Sequence, residues 1–145
     1  MHKSLTEPFY FALVAFLLQA KQQVIAVAGE FGLTGIQALT LLMIDRIESP
    51  SMSSFCKLYD CDASNITGII DGLENKGLVS RQPHSSDRRI KIIRLEEEGK
   101  KMQKRIIHAL ADTSGHLFNG LDHDETEQFA HLIQKLDVSK RPSLS

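Results

Sequence analysis

Three groups of residues have types and spacings that could do chemistry. The first lies in His84-Ser-Ser-Asp-Arg-Arg-Ile-Lys-Ile-Ile-Arg-Leu95, where two arginines follow an aspartate in a polar stretch. Between Lys76 and Arg94, six cations (Lys76, Arg81, Arg88, Arg89, Lys91, Arg94) accompany one anion, Asp87. Guanidinium groups this concentrated suit contact with phosphate or insertion into a narrow minor groove. Asp87 is placed to hold one of them in a fixed geometry. The second group is Ser64, Asn65 and Thr67, followed by Gly68. Asn pairs with adenine, and Thr offers both a hydroxyl and a methyl. The third is His108, Asp112 and His116, which recur every four residues and so share one face of a helix. Histidine and aspartate at that spacing are candidate metal ligands, with Glu30 as a distant fourth.

Other reactive residues fit chemistry less well. Cys56 and Cys61 are the chain's two cysteines, and they lie five apart. That is too few for a disulfide framework and the wrong spacing for a CxxC site. Such usage suits a reducing cytosol. Packed inside, they are inert small hydrophobes; the competing reading is a redox switch whose thiolate is stabilised by the helix start at Asp62. Asp122-His123-Asp124 suggests acid–base work, but neighbours on a helix point in different directions. No nucleophile or glycine-rich phosphate loop accompanies them. The chain therefore reads as a non-enzyme that needs no cofactor.

Composition frames these groups. The chain has 145 residues, 42% hydrophobic and 24% charged, which is one soluble domain's worth with a core. A net charge of −1 excludes any global attraction for polyanions. Nucleic-acid binding must come from charge placed locally. Acid at Glu96 to Glu98 and Asp122 to Glu127 offsets the basic stretch.

The elements that position these residues follow from caps and periodicity. Thr6-Glu7-Pro8 starts a helix that runs to about Ala28, where Gly29 and Gly32 can end it. Its ten-residue run Phe9 to Leu18 is too short to span a bilayer, and Glu7 and Pro8 at its start argue against a targeting signal. Apolar on every side, it reads as a buried helix of a cytoplasmic protein, without membrane attachment. So small a chain rarely hides a helix fully, so a second subunit is the natural cover. Thr34 to Ile47 forms a second helix, Met52 to Tyr59 a third capped by Ser51, and Ala63 to Lys76 a fourth capped by Asp62 and stopped by Gly77. Leu78 to Gln82 and Arg89 to Leu95 form two strands around a tip at Pro83 to Arg88. Ile90, Ile92 and Leu95 fasten the second strand while Lys91 and Arg94 face out. Glu96 to about Asn119 is one long helix, and Asp122 to about Leu136 is the last. Two helices joined by a short turn and followed by a hairpin make a winged helix-turn-helix.

On the fourth helix Ile66, Ile69, Ile70 and Leu73 form a core stripe. Ser64, Thr67, Gly68, Asp71 and Asn75 lie opposite, with Asn65 at the flank. Gly68 and Gly72 each cost about 1 kcal/mol relative to Ala, which points to a flat partner that needs the space. The start of such a helix meets base edges in the major groove. Asp71 would repel phosphate and is suited instead to holding a nearby cation.

Taken together, these residues resemble the MarR family of bacterial transcription regulators. The likeness runs from about Thr34 to Gly99. It rests on Asp62-Ala-Ser-Asn-Ile-Thr-Gly-Ile-Ile-Asp-Gly-Leu-Glu-Asn-Lys-Gly-Leu-Val79, then Asp87-Arg88-Arg89, then Leu95-x-x-x-Gly99. It implies a mainly α fold with a small β-hairpin wing, in a single MarR-like domain over 1–145. The winged lobe would be 34–95, with 5–30 and 96–139 as the dimerisation region. It also implies a homodimer on double-stranded DNA at a pseudo-palindromic operator. Regulation would be repression relieved by a small aromatic or phenolic effector, or by oxidation or a metal. Ser64, Asn65, Thr67 and Gly68 match the family's base-facing positions, and Arg88 and Arg89 its wing tip. Ser53, Arg81, Asp87 and Lys91 complete the expected DNA-facing set. Gly72 stands where the family often has a basic residue, and Glu96 replaces the usual Thr cap. The peroxide-sensing branch has a cysteine near the N-terminus, and the first 50 residues here contain none. An effector pocket between dimer helices and lobe could draw on Phe9, Tyr10, Phe11 and Phe16, although core packing is their main duty. The competing classes are a metal- or redox-responsive regulator of the same fold and a winged helix used for protein contact.

Overall fold

The computed structural model describes residues 6–136. The expected starts at residue 5, the last helix's end at 137–139 and the tail from Lys140 lie outside them. Helix α1 spans Glu7–Glu30, with Pro8 in its first turn. It runs past Gly29 and ends where Gly32 turns left-handed at φ +68. Helix α2, Gly35–Met43, begins at a reciprocal cap. The Thr34 hydroxyl accepts from the Gln37 N–H, and the Gln37 side chain accepts from the Thr34 N–H at 3.0 Å. It tightens into a 3-10 turn at Ile44–Arg46. Helix α3, Met52–Tyr59, is capped by Ser51 in the same manner. A left-handed Asp60 (φ 52) then turns the chain into α4, Ala63–Asn75, whose Asp62 cap accepts from the Asn65 N–H.

Strands β1, Val79–Pro83, and β2, Lys91–Leu95, pair antiparallel with Arg81 opposite Ile93 and Pro83 opposite Lys91. Both start later than the sequence suggested. The tip extends to Ile90, because His84 N–H donates to the Ile90 carbonyl at 2.8 Å and Ile90 N–H to the Asp87 carbonyl at 3.0 Å. Ile90 is therefore exposed rather than fastened to the core. Ile92 and Ile93 are buried instead, and the Ile93 N–H donates to the Pro50 carbonyl at 2.7 Å. The chain before α3 thus runs along the free edge of β2.

Helix α5, Glu97–Thr113, rests on the hairpin at Gly99, where any Cβ would strike the Leu78 carbonyl. Glu96 precedes it without a side-chain capping bond. The expected single long helix is broken. The Thr113 hydroxyl bonds back to the Ala109 carbonyl at 2.8 Å and the Ser114 hydroxyl to the Ala111 carbonyl at 2.8 Å. Such back-bonding bends helices. A separate turn, α6 (Gly115–Phe118), follows. It brings Phe118 beside Phe16 and Phe129 in a three-ring cluster. Helix α7, His123–Lys135, starts at an Asp122–Glu125 capping box.

The core sits inside the lobe and under the C-terminal end of α1. Leu41, Ile44, Phe55, Ile66, Ile70, Leu73, Ile93 and Ile106 are fully buried. The N-terminal two-thirds of α1 is not. Phe11, Val14, Leu18 and Ile25 recur on one side of it and are exposed, Phe11 at 69%. By length and composition alone α1 could cross a membrane.

Candidate nucleic-acid interface

Helix α4 presents the face read from the sequence. Ile66, Ile70 and Leu73 are buried, Ile69 is half-buried, and Ser64, Asn65, Thr67, Gly68, Asp71 and Asn75 are exposed. The Ser64 hydroxyl donates to Asp62 Oδ1 at 2.8 Å, and that of Thr67 to the Ala63 carbonyl at 2.8 Å. Both oxygens keep lone pairs for an incoming donor. The Asn65 carboxamide makes no side-chain hydrogen bond within the described residues, so its donor–acceptor pair is open to a base edge. Ser53, on α3, is exposed too.

The two glycines separate. Beside Gly68 there is open space, as a close-approaching partner requires. A Cβ at Gly72 would collide with the Gln37 side-chain amide, whose oxygen is tied to the Thr34 cap. Gly72 is explained by the packing of α2 on α4, not by an outside partner.

The wing tip is ordered by Asp87. Its carboxylate accepts from Arg89 Nε at 3.1 Å, Arg89 Nη2 at 3.3 Å and the Arg89 N–H at 3.0 Å. These bonds hold the carboxyl below the usual aspartate range. The Arg89 side chain, 91% exposed, projects from the tip in a fixed orientation. Arg88 and Lys91 are exposed and make no ion pair among the described residues. The tip thus carries one braced guanidinium and one free one.

Arg81 lies elsewhere in the charge map. It points back at α4, where Nη2 meets Asp71 Oδ1 at 2.5 Å and Nη1 pairs with Glu74 Oε2. Asp71 holds a cation, as its type suggested. Glu74 was not singled out from the sequence, although acids three apart on one helix face, shortly before a strand arginine, are a usable signal.

The remaining candidates are not gathered. His108, Asp112 and His116 are exposed, and the helix breaks between Asp112 and His116. Among the described residues no three His, Cys, Asp or Glu side chains could share a metal ion. Cys56 and Cys61 are free and half-buried against the core, less enclosed than expected. Burial first, then Cys56, Asp62 and Asp60, push the Cys61 thiol up, which disfavours the thiolate.

Residues 33–91, from the residue before the α2 cap to the first residue of β2, match the MarR family model. Over this lobe the chain is similar to the MarR family. The whole chain shares the MarR fold. It superposes on CouR from Rhodococcus jostii bound to p-coumaroyl-CoA with a TM-score of 0.73, at 23% identity over 97% of this chain and 99% of that one. Wild-type apo MarR from E. coli gives 0.74 at 18% identity, covering 92% and 98%. A cysteine-to-serine mutant of E. coli MarR complexed with operator DNA gives 0.68 at 20% identity, covering 89% and 93%.

Between α1 and α2 lies an apolar cleft of about 520 Å³, lined by Leu17, Val24, Ile25, Ile36 and Leu39 among others. A second cavity of about 550 Å³ lies at the base of the wing, against the 44–50 segment.

Proposed function

We propose that the chain is a cytoplasmic, homodimeric, sequence-specific regulator of transcription. It would bind double-stranded DNA at a pseudo-palindromic operator. One observation carries this reading: an exposed face of short hydrogen-bonding side chains on α4 stands beside a wing tip that presents Arg88 and Arg89. Asn65, with Ser64, Thr67 and Gly68, reads base edges in the major groove, helped by Ser53 from α3. Arg88, Arg89 and Lys91 hold phosphate or enter the minor groove. The E. coli MarR neighbour that carries operator DNA supports this docking.

The exposed apolar side of α1, together with Leu132, Ile133 and Leu136 at the end of α7, is the surface that a second copy covers. Residues 34–95 are then the DNA-binding lobe, and the outer helices are the dimerisation region. The same cover accounts for the apolarity of α1 without a membrane.

The regulation is repression relieved by a small aromatic or phenolic effector. The apolar cleft between α1 and α2 supports this, because it joins the dimerisation helix to the lobe. CouR, whose structure holds p-coumaroyl-CoA, shows that a neighbour of this fold takes an aromatic acid derivative. The test is duplex binding across a salt series. Affinity should fall steeply as salt rises, and more slowly in Arg88→Ala. Salt-insensitive binding would favour a protein partner instead.

A further inference from the structure

The geometry points to Arg81 as a positioning residue that sets the wing against the recognition helix, not as a phosphate contact. The inference rests on the DNA-binding reading above and deepens it. Both terminal nitrogens of the guanidinium are engaged, one with Asp71 and one with Glu74. The cluster carries one positive and two negative charges, so its net charge repels a phosphate. Its side chain is only 24% exposed, unlike that of Arg89.

Arg81 is the central residue of β1 and pairs with the fully buried Ile93. It therefore ties the middle of the hairpin to two points of α4, three residues apart. The direct connection between α4 and β1 is only Lys76, Gly77 and Leu78, and Gly77 is left-handed at φ +70. The Pro50 segment and the burial of Ile93 hold β2; Arg81 adds the side-chain tether between β1 and α4 that sets the angle of the hairpin to the recognition helix. The tip lies three to five residues beyond Pro83, on the order of 10–15 Å at about 3.3 Å per residue. A small rotation at Arg81 thus becomes a large displacement of Arg88. The planar fork is what spans two carboxylates; an ammonium is a single point charge and holds only one of them.

The test uses the full chain and a duplex of about three helical turns, selected from a random-sequence pool by binding to the wild type. Affinity is measured across salt for Arg81→Ala, Arg81→Lys and Glu74→Gln, at temperatures where melting curves show each variant folded. Positioning predicts that Arg81→Ala loses about tenfold in affinity together with the salt-slope share that Arg88→Ala removes, because the displaced tip leaves its phosphate, and that Lys does not rescue it. Glu74→Gln should also weaken binding, although it removes a negative charge near DNA. Arg88→Ala should cost about tenfold in the wild type and under about twofold in Arg81→Ala, because the tip is already misplaced. Full rescue by Lys together with tighter binding in Glu74→Gln would make Arg81 a phosphate contact and overturn the proposal. Additive losses for Arg81 and Arg88 would overturn it as well, leaving a merely structural ion pair. Failure to select any duplex would instead overturn the DNA-binding reading, and this inference with it.

Discussion

The winged lobe and the outer helices dispose of their apolar residues in opposite ways. In the lobe Leu41, Phe55, Ile66, Ile70, Leu73 and Ile93 close on one another, and among its large apolar residues only Leu39, Leu58 and Ile90 are exposed. In α1 only Val27 and Ala28 are fully buried, and α7 fully buries none. The lobe is a finished body whose exposed surface is available for recognition. The outer helices form a surface whose apolar residues still need cover. The proposed recognition and assembly surfaces thus fall on different segments, and each can be damaged separately.

The largest effect should come from charging the assembly surface. Leu18→Asp places an uncompensated charge in each half of a two-fold interface, at about 3–5 kcal/mol per copy. Light scattering should show a monomer whose lobe retains its helical circular dichroism. A Leu18→Asp protein that remains dimeric would mean that α1 is not the covered surface. Next comes the lobe core. Phe55→Ala removes a fully buried ring stacked on Tyr59 and should lower unfolding stability by about 3–5 kcal/mol in urea titrations. If self-association weakened more than lobe stability, the two regions would not be separable.

Smaller effects fall on recognition itself. Arg88→Ala should weaken binding to every duplex and lower the salt slope by about one per subunit, with melting unchanged. Asn65→Ala should cost about 1–3 kcal/mol of discrimination at one base pair in each half-site and little on mixed-sequence duplex. Competition between single-base variants of the operator measures this, and unchanged selectivity would place another face of α4 in the groove. The smallest effect concerns Asp87. Its pKa is lowered, so the brace on Arg89 is complete above the ordinary aspartate range and lost only as pH falls through the lower folded value. The Arg89 amide resonance should stay constant from pH 8 to 5 and move only under stronger acid. A midpoint at or above the ordinary range would mean that the brace is absent in solution.

Much of this was legible from local signals. The caps at Ser51 and Asp62 are bonds between residues three apart, and the structure forms both. The α4 stripe and the Asp87 brace are equally local. What sequence reading missed depends on neighbours distant in the chain. Gly72 is set by Gln37, which is 35 positions earlier. The burial of Ile93 in place of Ile90 depends on the Pro50 segment beside β2. The break after Thr113 has a local trigger in its hydroxyls, but its direction follows the ring cluster with Phe16. Arg81 looked like one more cation in a basic run until the packing of β1 against α4 put two carboxylates on it.

The central claim is that α4 and the wing of a dimer read a two-fold DNA site. Footprinting of the purified chain on genomic fragments tests it most directly. The account predicts discrete protected sites with two related half-sites about one helical turn (10–10.5 base pairs) apart, lost in Leu18→Asp and blurred in Asn65→Ala. Uniform protection of all fragments, or none at low salt, would contradict it.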